Sequence, residues 1–272
     1  MRPIGIFDSG VGGLSVLRSL RQLLPAEPLF YLADQAHVPY GPRPLEQVRY
    51  FSEQITRYML GEGAKLIVVA CNAASAAALQ HLRQVFPEIP FVGMEPAVKP
   101  AAEQTRSGVV GVLATPATFQ GALYASVVER FANGVNLLQS TCPGLVQQIE
   151  AGDLDGPVTQ GILEGALRPM LAQGIDTVVL GCTHYPFVIP LIEQIVGVGV
   201  RVIDPAPAVA RQVLRLLDER SLRQPEKTEP PVIRLVTTGD VPAMAAAVRR
   251  LICEGAEVEG VVWLNGEINQ PG

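Results

Sequence analysis

Short aliphatic runs recur along the chain, and most of them are followed by a polar or glycine-rich turn and then by a segment with helical periodicity. Strands that alternate with helices in this way build parallel sheets. The runs predict strands over Ile4–Phe7, Leu29–Leu32, Leu66–Ala70, Val109–Leu113, Thr177–Leu180, Val232–Val236 and Val258–Leu264. The intervening segments predict helices over Leu14–Leu24, Pro44–Leu60, an Ala-rich stretch ending before Pro87, a stretch after Pro116 through Phe131, and Val241–Cys253.

The second half of the chain repeats the plan of the first. The pairs of similar segments are Leu66–Cys71 with Thr177–Cys182, Gly5–Ser9 with Gly111–Thr115, and Glu95–Ala97 with Asp204–Ala206. Each pair is separated by roughly 110 residues, which indicates an internal duplication. The duplication predicts an α/β protein with two similar open parallel-sheet domains, related by pseudo-twofold symmetry, and an active site in the cleft between them. We expect the first domain to comprise residues 1–97 plus 207–265 and the second residues 98–206.

Composition and charge argue against several classes of protein. The 272 residues include 21 Lys plus Arg and 26 Asp plus Glu, which gives a net charge of −5. Nucleic-acid and membrane-surface binders normally have a basic face, so neither partner is expected. Asp8 interrupts the first apolar run, and the aliphatic stretch 188–203 contains one proline, two glycines and two charged residues. We therefore expect neither a signal peptide nor a membrane span, but a cytoplasmic protein.

Metals and cofactors are not expected either. The four cysteines lie far apart, which in a cytosolic chain of this size predicts reduced thiols. With only three histidines, a zinc site would need residues scattered along the whole chain. None of the three lysines lies in an evident site for a pyridoxal Schiff base, so a cofactor-free mechanism is expected.

Two cysteines occupy the positions where parallel α/β sheets bind ligands, directly after a strand. Cys71 and Cys182 are duplicates of one another, and each is expected near the N-terminus of a helix, whose partial positive charge favours a thiolate. If the two halves face each other, the sulfurs flank one cleft, as racemisation by an acid and a base on opposite faces of a carbon requires. The alternative is that they are buried core cysteines, which we prefer for Cys142 and Cys253.

Other polar residues follow the same strands. His184, beside Cys182, can hydrogen-bond a thiol or a substrate carboxylate. Asp8 can hold an ammonium group or assist a thiol, or alternatively cap the following helix. The turn Gly10–Gly13 lacks the spacing of nucleotide-binding loops, and we expect its backbone amides to bind a carboxylate.

Four separated motifs together resemble one known family. They are IGIFDSGVGG over Ile4–Gly13, VPYG over Val38–Gly41, VACNAASA over Val69–Ala76 and GCTHYP over Gly181–Pro186. Their order and spacing resemble the cofactor-independent glutamate racemases of bacteria, within the aspartate/glutamate racemase superfamily. The resemblance extends from residue 4 to about residue 265.

The resemblance implies interconversion of L- and D-glutamate, which supplies D-glutamate for peptidoglycan, by a homodimer without a cofactor. It implies that Cys71 and Cys182 are the acid/base thiols, with Cys182 taking the α-proton of L-glutamate, and that Asp8, His184 and Glu150 assist proton transfer. The residues that it places around the substrate are Asp8, Ser9, Tyr40, Gly41, Asn72, Ala73, Thr183 and His184, and related loops also carry Thr residues at the positions of Thr115 and Thr118. Ala73 is a departure, because the family usually has Thr there.

Three alternatives remain open at the level of sequence. A racemase of aspartate or of another amino acid would use the same scaffold. A thiol hydrolase would need one nucleophilic cysteine and would form an acyl-enzyme. A binding protein for a small dicarboxylate would need neither thiol.

Overall fold

The computed structural model describes residues 2–225, 232–252 and 257–270. Its strands are β1 (Ile4–Asp8), β2 (Leu29–Ala33), β3 (Leu66–Val69), β4 (Phe91–Gly93), β5 (Val109–Ala114), β6 (Asn136–Ser140), β7 (Thr177–Gly181), β8 (Arg201–Ile203), β9 (Ile233–Thr237), β10 (Val258–Gly260), β11 (Val262–Leu264) and β12 (Glu267–Asn269). Its helices are α1 (Leu14–Leu23), α2 (Leu45–Gly61), α3 (Asn72–Val85), α4 (Val98–Gln104), α5 (Pro116–Gln120), α6 (Ala122–Phe131), α7 (Leu145–Ala151), α8 (Pro157–Ala172), α9 (Ile189–Val196), α10 (Ala206–Glu219) and α11 (Val241–Ile252).

The strands form two parallel sheets and one hairpin. The first sheet has the order β10-β9-β2-β1-β3-β4, the second has the order β6-β5-β7-β8, and β11 pairs with β12 antiparallel. Four strands of the first sheet, in the order β2-β1-β3-β4, repeat the order β6-β5-β7-β8 of the second, with β1 matched to β5. Phe7 pairs with Val69 and Leu113 with Leu180, so Cys71 and Cys182 each follow the paired residue by two positions. The fold class and the duplication predicted from sequence are confirmed.

Burial explains why the central strands carry continuous apolar runs. Every residue of β1, β2 and β3 is buried, as in a parallel sheet covered by helices on both faces. After the second sheet is complete, α10 contacts α1 and β4, which belong to the first half of the fold. The strands β9 and β10 then extend the first sheet, as expected for the C-terminal segment.

Two predicted elements are each divided in two. The helix after Pro116 is interrupted at Gly121, whose backbone is extended and where a Cβ atom would lie 2.5 Å from the Cβ of Ala76. The segment Val258–Leu264 contains two strands in different sheets instead of one. The strands β4 and β8 were not predicted, because three residues are too few for a periodic signal, and β6 was missed because its five residues include polar side chains and none of them is buried. Cys253, the predicted end of the last helix, lies outside the described residues.

None of the helices in the described ranges has the length and apolar character needed to cross a membrane.

Candidate active site

Both duplicated cysteines line one small cavity. Its volume is about 20 Å³, and Cys71 and Cys182 are each only 5% exposed. The predicted site residues that line it are Ser9, Tyr40, Gly41, Cys71, Asn72, Ala73, Cys182, Thr183 and His184, and it is completed by Pro39, Thr115 and Val146. Asp8 and Glu150 lie behind this lining, in contact with its members.

Cys71 is the N-cap residue of α3. Its sulfur accepts a hydrogen bond from the N–H of Ala74 at 3.5 Å and lies 4.0 Å from the hydroxyl oxygen of Ser9. Burial, reinforced by the charge of Asp8, raises the pKa of the Cys71 thiol well above its usual range, although the Ala74 N–H opposes this shift. The helix end acts in the expected direction, because the Ala74 N–H lowers the pKa of Cys71, but burial outweighs it and favours the thiol.

Cys182 has different surroundings. A 3₁₀ turn over Tyr185–Val188 follows it, so the predicted α-helix N-terminus is absent at this position. Instead, the sulfur lies 3.7 Å from Nδ1 of His184, and Nε2 of the same ring lies 2.6 Å from Oε1 of Glu150. The side chains of Cys182, His184 and Glu150 thus form a row, with the sulfur at the cavity and the carboxylate at the far end.

The pKa shifts along this row indicate an ion pair. Burial by itself lowers the pKa of His184, but hydrogen bonds to Cys182 and Glu150, together with their charges, raise it well above its usual range. Burial by itself raises the pKa of Glu150, but hydrogen bonds from His184, Val11 and Gln35 lower it overall. These opposite shifts favour an imidazolium beside a carboxylate, a form in which both ring nitrogens donate hydrogen bonds.

Asp8 lies next to Cys71 at the end of β1. Its Oδ2 accepts a hydrogen bond of 2.7 Å from the N–H of Gly13, and its Oδ1 has no partner in the described part of the chain. Burial raises the pKa of Asp8, and this shift is opposed by the charge of His184 and by the Gly13 N–H. The bond to Gly13, just before α1, fits the alternative role of a helix cap, while the second oxygen stays available.

The glycine-rich turn binds carboxylates, as predicted, but they belong to the protein. Besides the Gly13 contact with Asp8, the N–H of Val11 donates to Oε1 of Glu150 at 2.8 Å. A Cβ atom on Gly10 would overlap with Glu150, and one on Gly12 would overlap with His184. The turn thus holds the Glu150–His184 pair, a role that no signal in the sequence indicated, because Glu150 lies 139 residues from Val11.

The cavity wall also contains hydrogen-bonding groups without partners. Neither amide atom of Asn72 has a partner in the described part of the chain, although the residue is only 3% exposed. The first backbone N–H groups of α3 point away from their own helix, as at any helix N-terminus, and favour an anion. Of the two threonines considered from sequence, Thr115 lines the cavity, whereas the hydroxyl of Thr118 bonds Thr115 at 3.0 Å. The wall fits a small molecule that carries carboxylate groups.

Metal ligation is not indicated. Within residues 2–225, 232–252 and 257–270, no three His, Cys, Asp or Glu side chains are grouped so that they could hold a metal ion.

Comparisons with known proteins show which family this chain resembles. A profile of the family described as Asp/Glu/Hydantoin racemase matches residues 4–213. A glutamate racemase of Roseiflexus sp. (strain RS-1) is 52% identical over 261 residues, which cover 96% of each chain. The crystal structure of a glutamate racemase isoform from Bacillus anthracis has a TM-score of 0.87 at 31% identity and covers 96% of this chain and 97% of its own. The Escherichia coli glutamate racemase, solved in complex with L-glutamate and the activator UDP-MurNAc-ala, has a TM-score of 0.83 at 32% identity and covers 97% of this chain and 100% of its own.

Replacement of Glu150 tests the ion pair. The Glu150→Gln variant removes the negative charge that helps to raise the pKa of His184. We expect the imidazole to titrate at a lower pH in this variant, as measured by the ring ¹⁵N chemical shifts. A His184 pKa that is higher in the folded than in the unfolded protein stabilises the fold. This stabilisation is complete below the unfolded-state pKa of about 6.5 and is lost as the pH rises through the folded-state pKa. The wild type should therefore lose more stability than the variant between neutral and alkaline pH.

The matched control is Glu164→Gln, which neutralises a partly exposed carboxylate on α8 that accepts hydrogen bonds from Gln160 and Arg168. It should leave the His184 titration unchanged. An identical His184 titration in the wild type and in Glu150→Gln would contradict the assignment of the ion pair.

Proposed function

The chain belongs to the Asp/Glu/Hydantoin racemase family, and we propose that it interconverts L- and D-glutamate by moving protons between Cys71, Cys182 and the two faces of the α-carbon. This activity is that of an isomerase without a cofactor, and it supplies D-glutamate for peptidoglycan. The observation that supports these two residues as acid and base is that both sulfurs line one cavity from duplicated strand ends.

The proton transfer balances over the two thiols. With L-glutamate, the sulfur of Cys182 removes the α-proton as a base, and the thiol of Cys71 delivers its own proton to the opposite face. The C–H bond on one face breaks and a new one forms on the other, which leaves a thiol at position 182 and a thiolate at position 71. With D-glutamate the two roles are exchanged. The raised pKa of Cys71 supports its role as the donor in the first direction.

Each sulfur has one proton-exchanging group of the protein beside it. Asp8 lies beside Cys71, and His184 lies beside Cys182 with Glu150 as its partner. Each can exchange a proton with the neighbouring thiol between turnovers, so that the enzyme is reset for the next substrate molecule. Both groups act on the thiols, and the α-carbon is left to the two sulfurs.

The α-carboxylate of the substrate would bind at the start of α3. The amide of Asn72 and the N–H groups of Asn72 and Ala73 offer donors there, Ser9 adds a hydroxyl group, and Thr183 lines the cavity from the second half. Donors at this place stabilise the negative charge that moves onto the carboxylate as the α-proton leaves. Tyr40 and Gly41 complete the pocket from the loop after β2.

Substrate entry requires the two halves to separate. A cavity of about 20 Å³ has room for about one water molecule, far less than glutamate needs. Contacts that cross the cleft include the Ser15 hydroxyl to the carbonyl of Thr183 at 3.1 Å, and the N–H of Ala117 to the carbonyl of Gly41 at 3.1 Å. The moving units that we propose are residues 1–97 plus 207–265 and residues 98–206, a division supported by their separate sheets. A homodimer in the cytoplasm is proposed from the family resemblance.

Single replacements of the two thiols test the mechanism. Cys71→Ser and Cys182→Ser should each lower racemisation by about 10²- to 10⁴-fold, because a hydroxyl group is a much weaker acid than a thiol. The measurements are the change in optical rotation of each enantiomer and the incorporation of deuterium at the α-carbon in D₂O. Cys142→Ser is the control, because that buried thiol lies outside the cavity lining and has a pKa raised by burial to about 11.

The outcomes separate the alternatives. Racemisation that survives loss of either cavity thiol would contradict the two-thiol mechanism. An acyl-enzyme on one cysteine would indicate a hydrolase, and binding of glutamate by the wild type without exchange of the α-hydrogen would indicate a binding protein. A higher kcat/KM for aspartate than for glutamate would move the substrate assignment to the shorter acid.

Restoring the hydroxyl group at position 73 tests the carboxylate site. Ala73→Thr should lower the KM for glutamate by about three- to tenfold, because one added hydrogen bond contributes about 0.5–1.5 kcal/mol. Ala73→Val has the same shape without the hydroxyl and should lack this gain. Equal KM values for the Thr and Val variants would contradict the placement of the carboxylate beside residue 73.

A further inference from the structure

A buried carboxylate outside the cavity lining joins the loop that carries Tyr40 to the C-terminal hairpin. Asp34 follows β2 directly and is 0% exposed. Its Oδ2 lies 2.6 Å from the hydroxyl of Tyr40 and 2.9 Å from Nδ1 of His37. Its Oδ1 accepts hydrogen bonds of 2.7 Å from the hydroxyl of Thr238 and from the indole N–H of Trp263. Four partners fill the capacity of a carboxylate.

The two oxygens of Asp34 serve two distant parts of the chain. The Oδ2 partners lie three and six residues away, in the segment that leads into the cavity, whereas the Oδ1 partners lie 204 and 229 residues away. Trp263 belongs to β11, which forms the hairpin with β12. Its ring also packs against His37, with ring centroids 5.0 Å apart, and against Phe51 at 5.6 Å. The hairpin is thus fastened to the segment by hydrogen bonds and by aromatic contacts.

The same segment reaches across the cleft at both of its ends. Gln35 donates to Oε2 of Glu150 at 3.4 Å, and the carbonyl of Gly41 accepts the N–H of Ala117. Between them, Tyr40 lines the cavity with its hydroxyl proton committed to Asp34. The position of this segment, defined here as the substrate loop (residues 34–41), therefore affects both the pocket wall and the partner of His184.

We propose that Asp34 is a positioning residue for racemisation, which holds the substrate loop in its binding geometry by tying it to Trp263 and Thr238 of the C-terminal region. Asp34 does not line the cavity, so it acts through Tyr40 and has no contact with substrate. The expected effect of Asp34 on KM rests on the proposed function, whereas the effect of Asp34 on the substrate loop can be measured without any activity. It gives the C-terminal hairpin a role in substrate binding.

The test removes one hydrogen-bond donor to Asp34 and keeps the aromatic packing around it. Trp263→Phe deletes the indole N–H but retains an aromatic ring against His37 and Phe51. We expect the KM for both enantiomers of glutamate to rise about tenfold, as the loss of a hydrogen bond to a charged group allows, while kcat stays within about twofold. Hydrogen–deuterium exchange of residues 36–43 should be faster in the variant than in the wild type. Asp34→Asn replaces one accepting oxygen by an NH₂ group, which donates and cannot accept the hydrogen bonds of its present partners. This variant should show both effects more strongly.

The control loosens the same hairpin without touching Asp34. The hydroxyl of Tyr50 donates to the carbonyl of Gly266 at 2.9 Å, so Tyr50→Phe removes a different bond between the hairpin and α2. It should leave the KM and the exchange of residues 36–43 unchanged. A wild type without racemase activity would refute the proposed function, and the exchange measurement would still decide the role of Asp34. Unchanged KM and unchanged exchange in Trp263→Phe, with or without a lower Tm, would overturn the inference.

Discussion

The structure depends on one geometric constraint, which is that two equivalent strand ends face each other across a space of about 20 Å³. The strands β3 and β7 occupy equivalent places in the four-strand order that the two sheets share, and Cys71 and Cys182 follow the equivalent paired residues Val69 and Leu180 by two positions. A parallel sheet presents the carboxyl ends of its strands on one edge. When two such edges face each other, residues that follow equivalent strands, here Cys71 and Cys182, lie on opposite sides of the space between them.

Duplication explains the placement of the sulfurs but leaves their surroundings different. Cys71 caps a helix beside Asp8, whereas Cys182 precedes a 3₁₀ turn beside the Glu150–His184 ion pair. The asymmetry suits a reaction in which one thiol starts as the acid and the other as the base. It also makes the first half of the fold depend on the second, since the glycine-rich turn after β1 holds Glu150 from α7.

The sequence was sufficient for the features that rest on local patterns. Buried parallel strands are continuous apolar runs, so β1, β2, β3, β5 and β7 could be located, and the repeated Cys71 and Cys182 followed from the duplication. The edge strands β6 and β8 could not be found in the same way, because their side chains are exposed or half-buried and form no continuous apolar run, and β4 has only three residues. The charge state of Cys71 was also beyond reach, since it depends on complete burial, a property of the tertiary fold.

Long-range polar contacts were the other limit. The resemblance indicated that Glu150 belongs to the site, but its contact with Val11 is visible only in three dimensions. The same holds for Asp34, whose partners Thr238 and Trp263 are more than 200 residues away. Hydrogen bonds between distant segments leave no periodic trace in a single sequence, and they are the contacts that define the shape of this pocket.

A crystal structure with bound D-glutamate is the most direct test of the central claim. The account predicts that the α-carbon lies between the two sulfurs, with Cys71 and Cys182 on opposite faces and each sulfur at a contact distance of about 3.5 Å. A complex in which both sulfurs approach the same face of the α-carbon, or in which glutamate binds away from one of them, would contradict it.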